Sequence, residues 1–166
     1  FGLGSIKNVG LQPVESIIEI RKGSGDFTSF TDFCERVAGE SVNKKCIESL
    51  IKAGTFSEFP ETRATLLASF ETIIDTIQSY NKKGMSGQVS MFDLGGDDNE
   101  NNLNEIKYNF DEQPELNEKE LLSMEKEMLG IYISGHPLEK IREQIIATTN
   151  ISSLQMKEID NQNPEE

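Results

Sequence analysis

Lys7, Asn8, Val9 and Gly10 lie in the stretch LGSIKNVGLQPVESI, where a short helix, a tight bend and a second helix follow within fifteen residues. Such a bend points successive backbone N–H groups outward at the start of the second helix, which makes a nest for a phosphate oxygen. A glycine in the bend has no Cβ, so a nucleic-acid backbone can come close. Contacts of this kind hold the phosphates and fix register without reading bases. The same residues are equally compatible with a plain helical hairpin closed by a glycine turn. A weaker copy of the form recurs in SLIKAGTFSEF, with Ala53, Gly54 and Thr55 at its bend, and Lys44 and Lys45 add cations at the start of the helix leading to it.

A second candidate is the run GQVSMFDLGGDDNE, where Met91 and Phe92 stand at the mouth of a glycine-rich, acidic stretch. They have no periodic apolar neighbours, so neither a helical nor a strand face carries them into a core. An apolar pair displayed this way is suited to another protein, and is equally compatible with an incidental apolar pair in a loop. Gln88 would offer an amide to a polar subsite while Met91 and Phe92 fill an apolar cleft.

Other reactive side chains are sparse. Cys34 and Cys46 form no CxxC pair and lie far in sequence from the single histidine, His136, which argues against a disulfide scaffold or a zinc site and for two small core residues. His136 precedes Pro137 in SGHPL with no partner nearby in sequence to complete a catalytic site, and is expected to be structural. Asp97 and Asp98 fall in a stretch too loose to hold a metal pair, and the acids of the first half alternate with cations as on a solvated face.

Charge divides the chain. Residues 1–83 carry ten Lys/Arg against eleven Asp/Glu, whereas residues 84–166 carry six against eighteen. The acidic half repels phosphates, so nucleic-acid contact belongs to the first half, where Lys7, Arg21, Lys22, Lys44, Lys45 and Lys52 lie. No apolar run approaches the roughly 18 residues of a membrane span and no basic-then-apolar leader opens the chain, so a cytoplasmic protein with no membrane partner is expected. Opening directly into FGLGSIKNVG, the chain reads as a segment of something longer.

The elements that must position these residues are helical. In LQPVESIIEIRKG, Pro13 stands near a helix start, Val14, Ile17 and Ile18 share a face, Arg21 and Lys22 occupy the last turn, and Gly23 is the expected stop. Phe30, Phe33, Cys34 and Val37 repeat the pattern. So do Ile47, Leu50 and Ile51, between Asn43 as N-cap and Gly54 as C-cap. The longest stripe is Leu66, Leu67, Phe70, Ile73, Ile74 and Ile77. From about Asn81 to Leu116 no apolar period remains, which predicts a flexible arm. Order resumes with a capping box at Asn117 and Glu120, a stripe of Leu121, Met124, Met128 and Tyr132, and a further helix with Pro137 in its first turn.

The succession FGLGSIKNVG, VESIIEIR, DFCERV, VNKKCIESLIKAGTF, RATLLASFE, GQVSMFD and EKEMLGIYISGHPLEKI resembles the bacterial replicative DNA polymerase III α subunit, in the part between its fingers and its OB domain. The likeness runs from about Phe1 to Ile141, and LIKAGTF and YISGHPL are its most specific pieces. It implies an all-α fold: a tandem helix-hairpin-helix domain over 1–80 on duplex DNA, a flexible linker over 81–116, C-terminal helices over 117–147 packed on the domain, and a linker over 148–166. DNA-contact residues would be Lys7, Asn8, Val9, Gly10, Lys44, Lys45, Ala53, Gly54 and Thr55. It further implies that Gln88, Val89, Ser90, Met91 and Phe92 form the peptide that binds the sliding clamp, the β subunit, with Met91 where such peptides more often carry leucine. Other replisome subunits are implied partners. The parent would be a DNA-directed DNA polymerase using magnesium, and this segment would hold no cofactor and no catalytic residue.

Two other readings fit an all-helical chain. A helix-hairpin-helix repair enzyme of the glycosylase or nuclease type would place a lysine or aspartate just after the bend, but Leu11, Gln12, Pro13 and Val14 follow it and no lysine comes before Lys22. A helical protein-interaction domain would bind no DNA at all.

Overall fold

The computed structural model describes residues 2–37, 39, 41–85, 107–149 and 155–156. Every regular element among them is helical. A 3-10 turn at Leu3–Ser5 precedes α1 (Leu11–Ser24), α2 (Phe30–Val37), α3 (Lys44–Lys52), α4 (Arg63–Met85) and α5 (Glu118–Leu129); a second 3-10 turn at Glu139–Ile141 leads into α6 (Arg142–Thr148). None of these helices is long and apolar enough to cross a membrane.

Local chemistry sets most boundaries. The Asn43 side chain accepts the Cys46 N–H at 2.9 Å and starts α3. Asn117 and Glu120 close both halves of the capping box on α5. The end of α1 differs from the expected stop at Gly23. Gly23 continues the helix, and the chain turns at Gly25, whose φ of 81° is the conformation that favours glycine. Arg36 then fixes the crossing to α2, donating to the carbonyls of Gly25 at 2.8 Å, Asp26 at 3.2 Å and Ile20 at 3.3 Å while lying 4.4 Å over the Phe27 ring.

The core gathers buried side chains from each of the helices α1 to α5. Phe30, Phe33 and Cys34 of α2 meet Ile47, Leu50 and Ile51 of α3 and Leu66, Phe70, Ile73 and Ile77 of α4, all buried. Phe56, from the turn after α3, packs edge-on against both Phe30 and Phe33, with ring centroids 5.1 and 4.9 Å away. Each such aliphatic or aromatic side chain contributes about 1.5–3 kcal/mol when fully buried. Burial pushes the Cys34 thiol up to about 12, with a further rise from the Glu35 carboxylate, and burial also raises Cys46; both are free thiols inside the core.

Of the flexible arm expected over 81–116, both ends are ordered, and residues 86–106 lie outside the described residues. Helix α4 continues past Tyr80 to Met85, and residues 107–116 form an extended strap bonded along α4. The Asp111 N–H donates to Ser69 Oγ and the Gln113 N–H to Thr65 Oγ1, each at 2.8 Å, and the Thr62 hydroxyl donates to the Gln113 carbonyl at 2.8 Å. Thr62, Thr65 and Ser69 share one face of the helix, so their hydroxyls form a ladder for an extended backbone. Tyr108 and Phe110 pack on the core. The Tyr108 hydroxyl donates to Glu35 Oε1 at 2.5 Å; burial, that bond, the Glu35 charge and Cys34 all raise its pKa.

Of the expected stripe Leu121, Met124, Met128 and Tyr132, Met128 is buried, Leu122 and Glu125 are buried in place of Leu121 and Met124, and Tyr132 lies beyond the helix, which stops at Gly130 in the left-handed conformation. Pro137 lies ahead of the 3-10 turn and outside any helix, and α6 buries no residue.

Candidate nucleic-acid interface

The first bend is built by tertiary contacts as much as by its own sequence. Ile6 and Val9 are buried, and the Val9 N–H closes onto the Ile6 carbonyl at 3.1 Å. Between them Asn8 takes a φ of 65°, a conformation asparagine tolerates better than most residues. The Lys7 N–H donates to the Met128 carbonyl of α5 at 2.8 Å, and Asn8 Nδ2 donates to Ser49 Oγ of α3 at 3.2 Å. Ser49 Oγ in turn donates to the Lys45 carbonyl at 2.9 Å. The bend is therefore held to α3 and α5, with the Lys7 and Asn8 side chains and Gly10 at the surface.

Gly10 is the N-cap of α1 and has no side chain to cap the first N–H groups, at Leu11 and Gln12. A Cβ on Gly10 would make ordinary contact with Pro13 at 3.7 Å, and its φ of −80° suits any residue. The fold therefore does not require glycine at this place. What glycine provides is an open approach to the positive end of α1.

The second bend differs in kind. Its three backbone N–H groups are all used within the chain: Ala53 donates to Ser49 at 3.0 Å, Gly54 to Ile51 at 2.9 Å and Thr55 to Leu50 at 3.2 Å. The Thr55 hydroxyl also donates to the Leu50 carbonyl, at 2.9 Å. This closes the C-terminus of α3, with Gly54 at φ 78°. The Arg63 side chain lies against Gly54 and donates to the Lys52 carbonyl at 3.2 Å. Ala53, Gly54 and Thr55 thus offer no backbone donor to a phosphate, which revises the expectation for these residues.

The cations separate in the same way. Lys44 pairs with Asp75 at 2.5 Å and Lys52 with Glu48 at 2.6 Å. Lys7 and Lys45 are exposed and form no ion pair among the described residues. The Asn8–Ser49–Lys45 chain of hydrogen bonds links the first bend to the start of α3. Gln88, Val89, Ser90, Met91 and Phe92 lie outside the described residues.

An ionic hub without a counterpart among the sequence-predicted site residues lies behind the second bend. Glu125 of α5, 2 % exposed, accepts the N–H groups of Ile133 and Ser134 at 3.0 Å each and the Ser134 hydroxyl at 2.7 Å. Burial alone would raise its pKa, but the Ser134 and Ile133 bonds and the Arg63 charge outweigh it and hold the carboxyl below its ordinary value. Glu115 likewise ends lowered against its burial, because it accepts the N–H groups of Arg63, Leu116 and Ala64 at the start of α4 and faces Arg63. A signal for Glu125 was present in the sequence: it stands midway between Leu122 and Met128, on the apolar stripe itself. His136 accepts the Leu138 N–H on Nδ1 at 3.2 Å and packs edge-on against Tyr132. Among the described residues no three His, Cys, Asp or Glu side chains converge as a metal site.

A family model described as "Helix-hairpin-helix motif" matches residues 1–66, the span that contains both bends. Proteins named DNA polymerase III subunit alpha are similar over most of the chain. That of Chlamydia pneumoniae is 40 % identical over 146 residues, covering 87 % of this chain and 12 % of the relative. That of Saccharopolyspora erythraea is 38 % identical over 143 residues, 84 % of this chain and 12 % of the relative. That of Campylobacter jejuni is 36 % identical over 164 residues, 97 % of this chain and 13 % of the relative. With a helix-hairpin-helix motif at its start and this identity carried through α5 and the residues after it, the chain belongs to the DNA polymerase III subunit alpha family, as a segment about an eighth the length of the relatives it matches.

Proposed function

We propose that this segment holds the sugar–phosphate backbone of duplex DNA through the bend Lys7–Gly10 and the start of α1, within a DNA-directed DNA polymerase of the replisome. The observation that carries the reading is the contrast between the two bends. The second has every N–H bonded internally. The first spends its Lys7 and Val9 N–H groups on Met128 and Ile6, is held to α3 through Ser49, and leaves an uncapped helix N-terminus beside Lys7 and an open glycine. Lys45, whose carbonyl accepts the Ser49 hydroxyl, is a second exposed cation with no ion pair among the described residues. Binding of this form grips phosphates in any sequence. The segment supplies hold and no chemistry; magnesium, implied for the polymerase, would be ligated elsewhere in the polypeptide.

The same proposal includes a tether to the sliding clamp through Gln88, Val89, Ser90, Met91 and Phe92. What supports it is the order of side chains, an amide followed at fixed spacing by two large apolar groups. A short peptide of this kind binds through anchors that enter a pocket.

The decisive experiment is duplex binding by the wild type and Gly10→Val at low salt. Valine fits the backbone at this position, so the fold is retained while the approach to α1 is blocked. Weaker binding for every duplex sequence supports the assignment, and equal binding by the two proteins removes it.

A further inference from the structure

Leu11 is the most exposed large hydrophobic side chain among the described residues, at 76 %. A single exposed leucine is ordinary on a protein surface, so exposure alone assigns it nothing. Its place sets it apart. Leu11 is the first residue of α1, directly after the N-cap Gly10, and its own N–H is one of two donors in the first turn that no side chain caps. The other belongs to Gln12. Pro13 has no N–H to offer, and the Val14 N–H closes onto the Gly10 carbonyl at 3.4 Å.

The direction of the side chain follows from helix geometry. Every Cα–Cβ bond of an α-helix tilts toward the N-terminus, so a side chain covers the turn before its own. Leu11 has no helical turn before it. Its side chain is therefore carried past the end of α1, into the space from which a strand would approach the Leu11 and Gln12 N–H groups. Gly10 borders that space without a side chain, and Lys7 stands at the surface just before it.

A nucleic-acid strand brings sugar to such a place as well as charge, because each phosphate joins two sugars. In DNA the C2′ atom carries only hydrogen and presents an apolar face, whereas in RNA it carries a hydroxyl that is both donor and acceptor. Leucine laid over that hydroxyl would strip its water and return no hydrogen bond. Phosphate contacts make no such distinction, and Lys7 attracts either backbone.

We infer that Leu11 packs on the deoxyribose beside the phosphate held at the start of α1 and makes this bend discriminate against ribose. The inference rests on the proposed backbone grip at Lys7–Gly10 and adds to it a reading of the sugar.

The test measures equilibrium binding of the chain to a DNA duplex and to an RNA duplex of the same sequence, for the wild type, Leu11→Ala, Leu11→Met and Gly10→Val. Leu11 is exposed, so its substitutions keep the fold. Wild type should prefer DNA. Leu11→Ala should lower the ratio of DNA to RNA affinity at least about threefold, and Leu11→Met, still apolar, should hold it within about twofold of wild type. RNA also differs from DNA in duplex shape, but that part of the preference is common to wild type and Leu11→Ala. A ratio unchanged by Leu11→Ala would therefore overturn the inference. The slope of log K against log salt should be the same in Leu11→Ala as in wild type, because leucine carries no charge; a changed slope would mean a disturbed phosphate grip and would also overturn it. Gly10→Val separates the two ideas. Weaker DNA binding by Gly10→Val, with an unchanged ratio in Leu11→Ala, removes the sugar contact and keeps the backbone grip; equal DNA binding by wild type and Gly10→Val removes both.

Discussion

Arg63 and Glu125, brought together from the first turn of α4 and the middle of α5, form a buried ion pair with Nη2 3.6 Å from Oε1 and side chains 12 % and 3 % exposed. The guanidinium also reaches the Lys52 carbonyl and lies against Gly54, while the carboxylate holds the backbone of Ile133 and Ser134. One pair thus joins the second bend, the N-terminus of α4 and the loop leading to SGHPL. Removing either partner leaves the other's charge in a poorly solvated place. Arg63→Ala and Glu125→Ala should each destabilise the chain by about 3–5 kcal/mol in denaturant titration, and the double substitution should cost less than the sum of the two.

Acid should weaken the same region. Glu125 and Glu115 both have folded pKa values below their unfolded ones, so the folded chain takes up their protons less readily than the unfolded chain. Their contribution is fully present above the unfolded glutamate value of about 4.3 and is lost as pH falls through the lowered folded values. Stability measured from pH 7 down to pH 3 should therefore drop below about pH 4.5, more steeply in the wild type than in a Glu115→Gln, Glu125→Gln variant. Parallel curves would show that other carboxylates govern acid unfolding.

Glu115 also ties the strap to the bundle by accepting the Arg63 and Ala64 N–H groups, a cap supplied from outside the helix. Glu115→Ala should cost about 1–2 kcal/mol, and Thr65→Val, which removes the acceptor of the Gln113 N–H, about 1–3 kcal/mol. Limited proteolysis reports the local effect: in both variants, cleavage within residues 107–116 should accelerate while cleavage within α3 stays slow.

Lys7 and the second bend separate the two bends in solution. If Lys7 neutralises one phosphate, Lys7→Gln should weaken duplex binding for all sequences and lower the slope of log K against log salt by about 0.9. Thr55→Val should leave both affinity and slope unchanged, since the Thr55 hydroxyl already donates to Leu50. A Thr55 effect as large as that of Lys7 would return the second bend to the interface.

For the clamp, Phe92→Ala should reduce affinity by about 2–4 kcal/mol in calorimetry if the ring is a buried anchor, and Gln88→Ala by less. Helix content should be the same in both variants. Identical clamp affinities for wild type and Phe92→Ala would mean that Met91 and Phe92 serve another purpose.

The helices were legible in the sequence because their signals are local. Asn43, Gly54, Asn117 and Glu120 mark ends by bonds within a turn or two, and the stripes of α2, α3 and α4 repeat at the helical period. The first bend was legible for the same reason: NVG between two helical stretches demands a turn, and the turn is present. Gly23 and Gly25 show the limit of local signals, since two glycines two residues apart are both able to stop a helix and packing against α2 selects the second.

What only the tertiary structure decided are the long-range matches. Residues 107–116 carry no apolar period, and their order comes from hydroxyls on α4 that the strap's own sequence does not contain. Whether a bend offers its N–H groups outward is likewise not written in the bend. Asn8 and Gly54 both lie in the left-handed region, yet the first bend gives its Lys7 and Val9 N–H groups to Met128 and Ile6, while α3 carbonyls take all three donors of the second. Local sequence fixes the turn because its energy is set within a few residues. Which atoms of the turn remain free is settled in the first bend by partners more than forty residues away, and in the second by the α3 carbonyls just before it.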